Sequence, residues 1–165
     1  MILYTVGHGN ATIDQFLDLL RQHHIDVLVD VRTQPYSRYA SQFNRDPLRA
    51  SLQQVGIQYL YLGDALGGRP ADVQYFWADG KVNYDRLTKA PFYLEGLERL
   101  KKQAEGHRVA VLCSEADYRK CHRYWLITRS LVGEGVEVRH ILHSGELAET
   151  RPDEFTPPVE QLRLF

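Results

Sequence analysis

Two cysteines lie close together in the second half of the chain. Cys113 ends an apolar run that begins at Val109, and Cys121 follows eight residues later, directly before His122. A thiol placed between a strand and a helix is favoured as a thiolate, because backbone N–H groups and the positive helix end stabilise its charge. We therefore predict that Cys113 is a catalytic nucleophile. A buried structural cysteine is the alternative.

Carboxylate and imidazole side chains at the predicted strand ends could serve as acids and bases beside Cys113. Glu115 has the chemistry of a general acid or base, with an ion-paired positioning role as the alternative. Asp30 ends a second apolar run, where it would take part in catalysis or hold Arg32 in place. The predicted catalytic set is Cys113, Glu115, His8, His122 and Asp30.

Arginine is the preferred cation of this chain, and a planar guanidinium binds phosphate in a bidentate manner. The spacing from Cys113 to Arg119 matches the C-x5-R loop of thiol phosphatases and rhodanese-like enzymes. Glu115 and Asp117 inside that loop would repel an anion, and the loop contains no glycine. Aromatic residues interleaved with the arginines would stack on bases or pack in the core. The predicted anion or nucleic-acid site comprises Arg32, Ser37, Arg38, Arg69, Arg119 and Arg123.

A metal centre is a weaker interpretation of the same residues. Cys113, Cys121, His122 and His8 offer suitable ligand atoms, but the chain has no C-x2-C pair and no H-x3-H pair. We therefore predict no metal and no cofactor. Zinc binding and a Cys113–Cys121 redox pair remain alternatives.

Short apolar runs alternate with amphipathic segments along most of the chain. The runs predict strands over residues 2–6, 26–31, 57–62, 108–113 and 136–142, and the segments predict helices near residues 12–20, 46–56, 91–105 and 118–132. This alternation predicts an α/β fold, a single three-layer, Rossmann-like domain with a mostly parallel sheet of about five strands. Right-handed crossovers would bring all the polar loops to one sheet edge.

Length, net charge and cysteine count exclude several classes of protein. The 165 residues suffice for one domain, predicted over residues 1–145, followed by a Pro-rich linker and a short peptide over 146–165. A net charge of −1 excludes a globally basic nucleic-acid coat protein, and two cysteines are too few for a disulfide scaffold. We find no apolar run that would span a bilayer and no signal peptide. We therefore expect a cytoplasmic protein without membrane contact.

Five sequence blocks together resemble the domain-of-unknown-function 488 family. They are residues 5–10 (TVGHGN), 28–32 (LVDVR), 35–38 (PYSR), 66–69 (LGGR), and 112–115 (LCSE) with 121–123 (CHR). The resemblance covers most of residues 1–143. It implies an α/β domain with these polar residues clustered, and it implies no particular reaction. The Asp-Val-Arg block followed by a strand-end cysteine is also analogous to rhodaneses.

The last five residues, Gln161-Leu162-Arg163-Leu164-Phe165, resemble the Q-L-x-L-F peptide that binds the bacterial DNA polymerase sliding clamp. All four defined positions match, and Arg163 occupies the free one. Leu164 and Phe165 would fill an apolar pocket, while Gln161 would hydrogen-bond its rim. Packing of this tail on its own domain is the alternative. The predicted clamp-binding residues are Gln161, Leu162, Leu164 and Phe165.

These features favour a DNA-maintenance protein that is recruited to the sliding clamp and acts on DNA or a nucleotide. Two alternatives remain open. The first is an adaptor that binds nucleic acid or a nucleotide without turnover. The second is a rhodanese-like thiol enzyme acting on a small molecule. Whether the chain is an enzyme therefore stays open. If it is one, we expect a cysteine-dependent enzyme that acts on nucleic acid or on a phosphate or sulfur compound.

Overall fold

The structure, a computed structural model, describes residues 1–155 and contains one six-stranded sheet. The strands lie in the order β3-β2-β4-β1-β5-β6, and all neighbours are parallel except β5 and β6. The α/β fold class is therefore confirmed. The strand bounds are β1 Ile2–Gly7, β2 Val27–Asp30, β3 Gln58–Tyr61, β4 Val109–Cys113, β5 Glu137–Ile141 and β6 Leu147–Thr150.

Helices cover both faces of this sheet, as central parallel strands require. Thr12 caps the first helix, where its side chain and that of Gln15 form a reciprocal capping box. Phe16 and Leu48 pack in a core cluster on one face, and Tyr93 and Leu131 pack in a second cluster on the other. The helices are α1 Ile13–Gln22, α2 Arg45–Gln54, α3 Gly63–Leu66, α4 Tyr84–Leu87, α5 Pro91–Gly106 and α6 Arg129–Gly133.

The sheet extends into the segment that we predicted as a linker. Leu147–Thr150 forms the sixth strand, antiparallel to β5, because the chain reverses at Gly145. Gly145 has a φ of +91°, a left-handed conformation that favours glycine in tight turns. The Thr150 side chain then reaches His140 of β5, with 2.6 Å between Oγ1 and Nε2. Residues 147–150 are thus part of the folded sheet.

The helix predicted over residues 118–132 is divided into three parts. Tyr118–Lys120 forms a 3-10 turn, Arg123–Thr128 is a π-helix, and α6 follows. Within the wide turn, the Thr128 hydroxyl donates to the Arg123 carbonyl oxygen at 2.5 Å. Short π-helical turns are frequent at functional sites.

The predicted clamp-binding residues 161–165 lie outside the described part of the chain. Within residues 1–155, none of the helices combines the length and the apolar character needed to cross a bilayer.

Candidate functional site

The ends of β1, β2 and β4 lie side by side at the carboxyl edge of the sheet. Gly7 is in register with Cys113, and Asp30 is in register with Leu112. Beyond the strand ends, the His8 backbone N–H still donates to the Cys113 carbonyl oxygen at 3.1 Å. This edge therefore brings together the three predicted blocks that contain His8, Asp30 and Cys113.

Three side chains form what we call the sulfur–histidine cluster: Cys113, Cys121 and His122. One ligand atom from each lies within 4.8 Å of the others. Cys113 Sγ is 3.9 Å from His122 Nδ1, and His122 Nε2 is 2.9 Å from the carbonyl oxygen of Val31. Because a carbonyl oxygen only accepts, Nε2 carries the proton that it donates. The second ring nitrogen, Nδ1, therefore faces the cysteines.

The cluster favours the ionised form of Cys113. A hydrogen bond from the Cys121 thiol is the main reason that the pKa of Cys113 is well below its usual value. Burial opposes this effect, while His122 and the charge of Arg123 support it. The same hydrogen bond and burial raise the pKa of Cys121.

Asp30 and Arg32 form what we call the carboxylate–guanidinium cluster, and it is almost completely buried. Arg32 donates from Nε and Nη2 to the two carboxylate oxygens at 2.9 and 2.8 Å. The Arg32 backbone N–H and the Tyr59 hydroxyl add donors at 3.1 and 2.6 Å. Burial and the bond to Asp30 raise the pKa of Tyr59, which keeps it a donor. The geometry corresponds to the alternative in which Asp30 holds Arg32.

Arg123 is buried at the same edge, with only 1% of its surface exposed. Its Nη2 donates to the Ala116 carbonyl oxygen at 3.1 Å, whereas Nε and Nη1 have no hydrogen-bond partner among residues 1–155. Burial lowers the pKa of Arg123, and the nearby cysteines oppose that shift.

His8 is also buried at this edge. Its ring stacks on Phe43 with 4.6 Å between the ring centroids, and burial lowers the pKa of His8.

A cavity of about 550 Å³, which we call the basic pocket, opens beside the sulfur–histidine cluster. Its basic lining side chains are Arg69, Lys81 and Lys120, and no Asp or Glu of the described chain lines it. Cys121 and His122 form part of its wall. The remaining lining residues are Thr33, Gly68, Gly80, Val82 and Tyr84.

Gly68 allows the pocket wall to approach the imidazole. A Cβ atom at this position would lie 2.7 Å from Cγ of His122, well inside van der Waals contact. The Leu-Gly-Gly-Arg block thus brings Arg69 to the pocket and also admits the His122 ring. The Arg69 backbone N–H donates to the Thr33 hydroxyl at 3.1 Å, which ties this loop to the end of β2.

Four predicted residues have other surroundings. The Ser37 hydroxyl accepts from the backbone N–H groups of Tyr39 and Ala40, so it stabilises a turn. Arg38 and Glu115 are exposed. Arg119 lies over the Tyr118 ring and 3.8 Å from a carboxylate oxygen of Glu154. The residues that the structure places away from the cluster or at its exposed rim are Ser37, Arg38, Glu115 and Arg119.

Sequence reasoning missed Lys81, Lys120 and Tyr84. Lys120 directly precedes Cys121, so proximity in the chain was an available signal. Lys81 and Tyr84 follow a long irregular segment, and no local pattern links them to the cysteines. Burial raises the pKa of Tyr84, and the two cysteines contribute further, which reflects its closeness to both.

Fold and site together define a doubly wound α/β protein with a cysteine–histidine site at the carboxyl edge of its sheet. The chain belongs to the family described as domain of unknown function DUF488, whose model matches residues 12–129. The resemblance inferred from the sequence blocks is thereby confirmed. Comparison with curated proteins and comparison with solved structures gave no match.

Proposed function

We propose that this protein acts in DNA maintenance, as an enzyme that binds a phosphate-bearing part of DNA or a nucleotide beside its sulfur–histidine cluster. The observation that carries the proposal is the basic pocket. Three cationic side chains line it, and cysteine and histidine groups lie in its wall. Charge of one sign in a concave site attracts and orients an anionic substrate.

The size of the pocket favours a substrate no larger than a nucleotide. Cavities of roughly 300–1,000 Å³ hold small ligands, and 550 Å³ lies within that range. A duplex is too wide for such a pocket, whereas a single nucleotide or a base turned out of the helix is of suitable size. Half-buried Tyr84 offers an aromatic edge or face at the wall.

The side chains divide into binding and reacting groups. Arg69, Lys81 and Lys120 would hold phosphate oxygens. Cys113 would serve as a nucleophile or as a ligand, and His122 would orient it. Glu115 is exposed two residues beyond Cys113, where it would carry protons between the site and solvent.

The last five residues support the link to DNA. Their four defined positions match the clamp-binding pentapeptide, and a peptide of this type joins its protein to the replication machinery by a tether. Binding to the clamp would raise the local concentration of the enzyme at DNA, so that a modest affinity in the basic pocket suffices.

Clamp binding is tested by calorimetry with a purified bacterial sliding clamp. We expect the full chain to bind with a Kd on the order of micromolar, about −8 kcal/mol. Removal of residues 161–165, or the single change Phe165→Ala, should abolish the binding heat that calorimetry records. Arg163→Ala is the matched control, because it alters the free position and should bind normally. Equal binding by the full and the truncated chains would refute recruitment through this peptide.

Pocket binding is tested separately, with a fluorescent single-stranded oligonucleotide and with a nucleoside monophosphate as probes. We expect Arg69→Ala and Lys120→Ala to weaken binding about tenfold each, about 1.4 kcal/mol, and to reduce the dependence of affinity on salt. Lys102→Ala, at an exposed position of α5, is the control and should leave affinity unchanged. If the wild-type protein binds neither probe, the DNA assignment of this site is wrong. Binding without turnover would identify an adaptor.

A second candidate function is a small-molecule thiol enzyme. The 3.9 Å contact between Cys113 Sγ and His122 Nδ1 favours it, because a thiol beside an imidazole is an activated nucleophile. Arg119 argues against a phosphatase-type loop, since it pairs with Glu154. Turnover of a small sulfur or phosphate compound that is lost in Cys113→Ala, together with no clamp binding, would favour this candidate.

A further inference from the structure

The sulfur–histidine cluster has the composition and spacing of a metal site with one free coordination position. Two cysteine sulfurs and one imidazole nitrogen lie within 4.8 Å of one another, and these three residues make up the cluster among residues 1–155. We infer that Cys113, Cys121 and His122 bind a thiophilic divalent cation of the zinc class. The inference deepens the proposed function, because it assigns Cys113 the role of ligand at the same site.

The distances fit tetrahedral coordination. A sulfur about 2.3 Å and a nitrogen about 2.1 Å from one metal ion lie about 3.6 Å apart at the tetrahedral angle. Cys113 Sγ and His122 Nδ1 are 3.9 Å apart. For this pair, metal binding thus needs a contraction of only a few tenths of an ångström, which side-chain torsions can supply. Cys121 Sγ lies within 4.8 Å of both other ligand atoms. Thiolate and imidazole donors together select zinc and its relatives over magnesium or calcium.

The surroundings of His122 provide an independent argument. A metal-binding histidine almost always donates its other ring N–H to a carbonyl or carboxylate oxygen, which fixes the ring and its tautomer. His122 does so through Nε2, which donates to the Val31 carbonyl oxygen at 2.9 Å. Nδ1, the nitrogen left free by that bond, is the one that faces the cysteines. Gly68 has no side chain, and this leaves space for the imidazole ring in this position, because a Cβ atom there would lie 2.7 Å from His122 Cγ.

The fourth position faces the basic pocket. Cys121 and His122 contribute to the pocket wall, whereas Cys113 lies deeper, with 5% of its surface exposed. Three protein ligands with an open position are characteristic of catalytic rather than structural zinc. The position would accept a water molecule or an oxygen of the anion held by Arg69, Lys81 and Lys120. Site and pocket thus form one binding unit for a cation and an anionic ligand.

Metal analysis of the full chain, purified under reducing conditions without chelator, tests the inference. We expect an equimolar amount of zinc. Cobalt added to the stripped protein should give the near-ultraviolet thiolate-to-cobalt band and the strong visible bands of a tetrahedral centre. Cys121→Ser and Cys113→Ser should each abolish the thiolate band or reduce it by half. His107→Gln, which alters an exposed histidine outside the cluster, should leave both metal content and spectrum unchanged.

Folding of the variants is monitored by far-ultraviolet circular dichroism. If the buried Cys113→Ser variant does not fold, the half-buried Cys121→Ser variant decides the test. The inference is overturned if the wild-type protein holds no metal and gives no cobalt band, or if mass spectrometry shows a Cys113–Cys121 disulfide in the reduced preparation. Oligonucleotide binding without metal would remove only this inference. Metal binding without oligonucleotide or clamp binding would remove only the proposed function.

Discussion

Strands β2 and β4 are neighbours in the sheet, and each ends in a buried polar cluster. At the end of β2, Asp30 accepts four hydrogen bonds from Arg32 and Tyr59, and Arg32 directs both Nε and Nη2 at this carboxylate. At the end of β4, Cys113 lies against Cys121 and His122, and the nearby guanidinium of Arg123 has two nitrogens without partners in the described chain. The carboxylate–guanidinium cluster is closed, and the sulfur–histidine cluster is open.

This difference separates a supporting role from a binding role. Buried polar groups are normally hydrogen-bonded, so a group left without partners requires an explanation. The Asp30 carboxylate of the closed cluster already accepts four hydrogen bonds, and one of them holds the backbone N–H of Arg32 against Asp30. That backbone includes the Val31 carbonyl oxygen, which holds His122. The closed cluster therefore positions the open one.

The largest effect is expected from opening the closed cluster. Asp30→Asn removes the negative charge and leaves Arg32 buried without a counterion. Breaking one partner of a buried ion pair costs about 3–5 kcal/mol, which we expect as the loss in free energy of unfolding. Urea denaturation measures this loss.

Asp18→Asn, at an exposed position of α1, is the matched control, and it should change the free energy of unfolding by less than about 0.5 kcal/mol. If Asp30→Asn is as mild as this control, the ion pair does not hold the end of β2. The contrast between the closed and open clusters would then lose its physical basis.

A smaller effect is expected from adding a methyl group at Gly68, next to the His122 ring of the open cluster. In Gly68→Ala, the new methyl group would meet the His122 ring at 2.7 Å and displace it. Overpacking of this kind costs about 1–3 kcal/mol, and the displaced ring should also weaken ligand binding in the basic pocket. Denaturation and oligonucleotide titration measure the two effects.

Gly133→Ala is the matched control for this substitution, because a Cβ atom there meets no atom of residues 1–155 within 4 Å. It should leave ligand binding unchanged, and it should raise the free energy of unfolding by at most about 1 kcal/mol, because alanine favours a helix more than glycine does. Identical behaviour of the two glycine variants would mean that the His122 ring is not confined by the loop at Gly68.

The smallest effect is the pH dependence of stability that His140 contributes. Both ring nitrogens of this histidine have hydrogen-bond partners. Its ring lies 2.6 Å from the hydroxyls of Thr5 and Thr150, and burial lowers its pKa from 6.5 to about 3. Below pH 6.5 the unfolded chain takes up a proton that the folded protein resists, so stability falls with pH across the window from 6.5 to 3. At pH 5.5 the loss from this residue should be about 1.4 kcal/mol relative to pH 7.5.

His140→Gln isolates this contribution from that of the carboxylates. We expect its stability to fall less than that of the wild type between pH 7.5 and 5.5, by about the same 1.4 kcal/mol. Parallel stability curves for the two proteins, measured by urea denaturation at both pH values, would show that His140 is not held neutral.

The fold was largely predictable, because apolar runs and capping residues are local signals. Five strands and the helices on both faces follow from such patterns. Strand β6 was not predictable in the same way, since Leu147–Thr150 is short and half polar, and it is stabilised by pairing with β5. The π-helix was also missed, because its wide turn depends on the anchoring of Arg123 and Thr128 in three dimensions.

The site was predictable only in part. Cys113, His122 and Arg69 follow from the rule that parallel strands place their functional loops at one edge. The pairing of Arg119 with Glu154 was not foreseeable, because Glu154 belongs to a 3-10 turn, Pro152–Phe155, that follows β6. Lys81 reaches the pocket through a long connection whose path is determined by tertiary packing.

The π-helix at Arg123–Thr128 contains one more residue per turn than an α-helix would allow. Loss of a single residue there would restore ordinary helical geometry and rotate the preceding Cys-His pair by about 100° relative to α6. The core contacts of α6 would survive such a deletion, and the sulfur–histidine cluster would not. A relative that is shorter by one residue in this turn would thus retain the fold without the sulfur–histidine cluster, so the length of this turn offers a simple criterion for sorting family members by whether they can form the cluster.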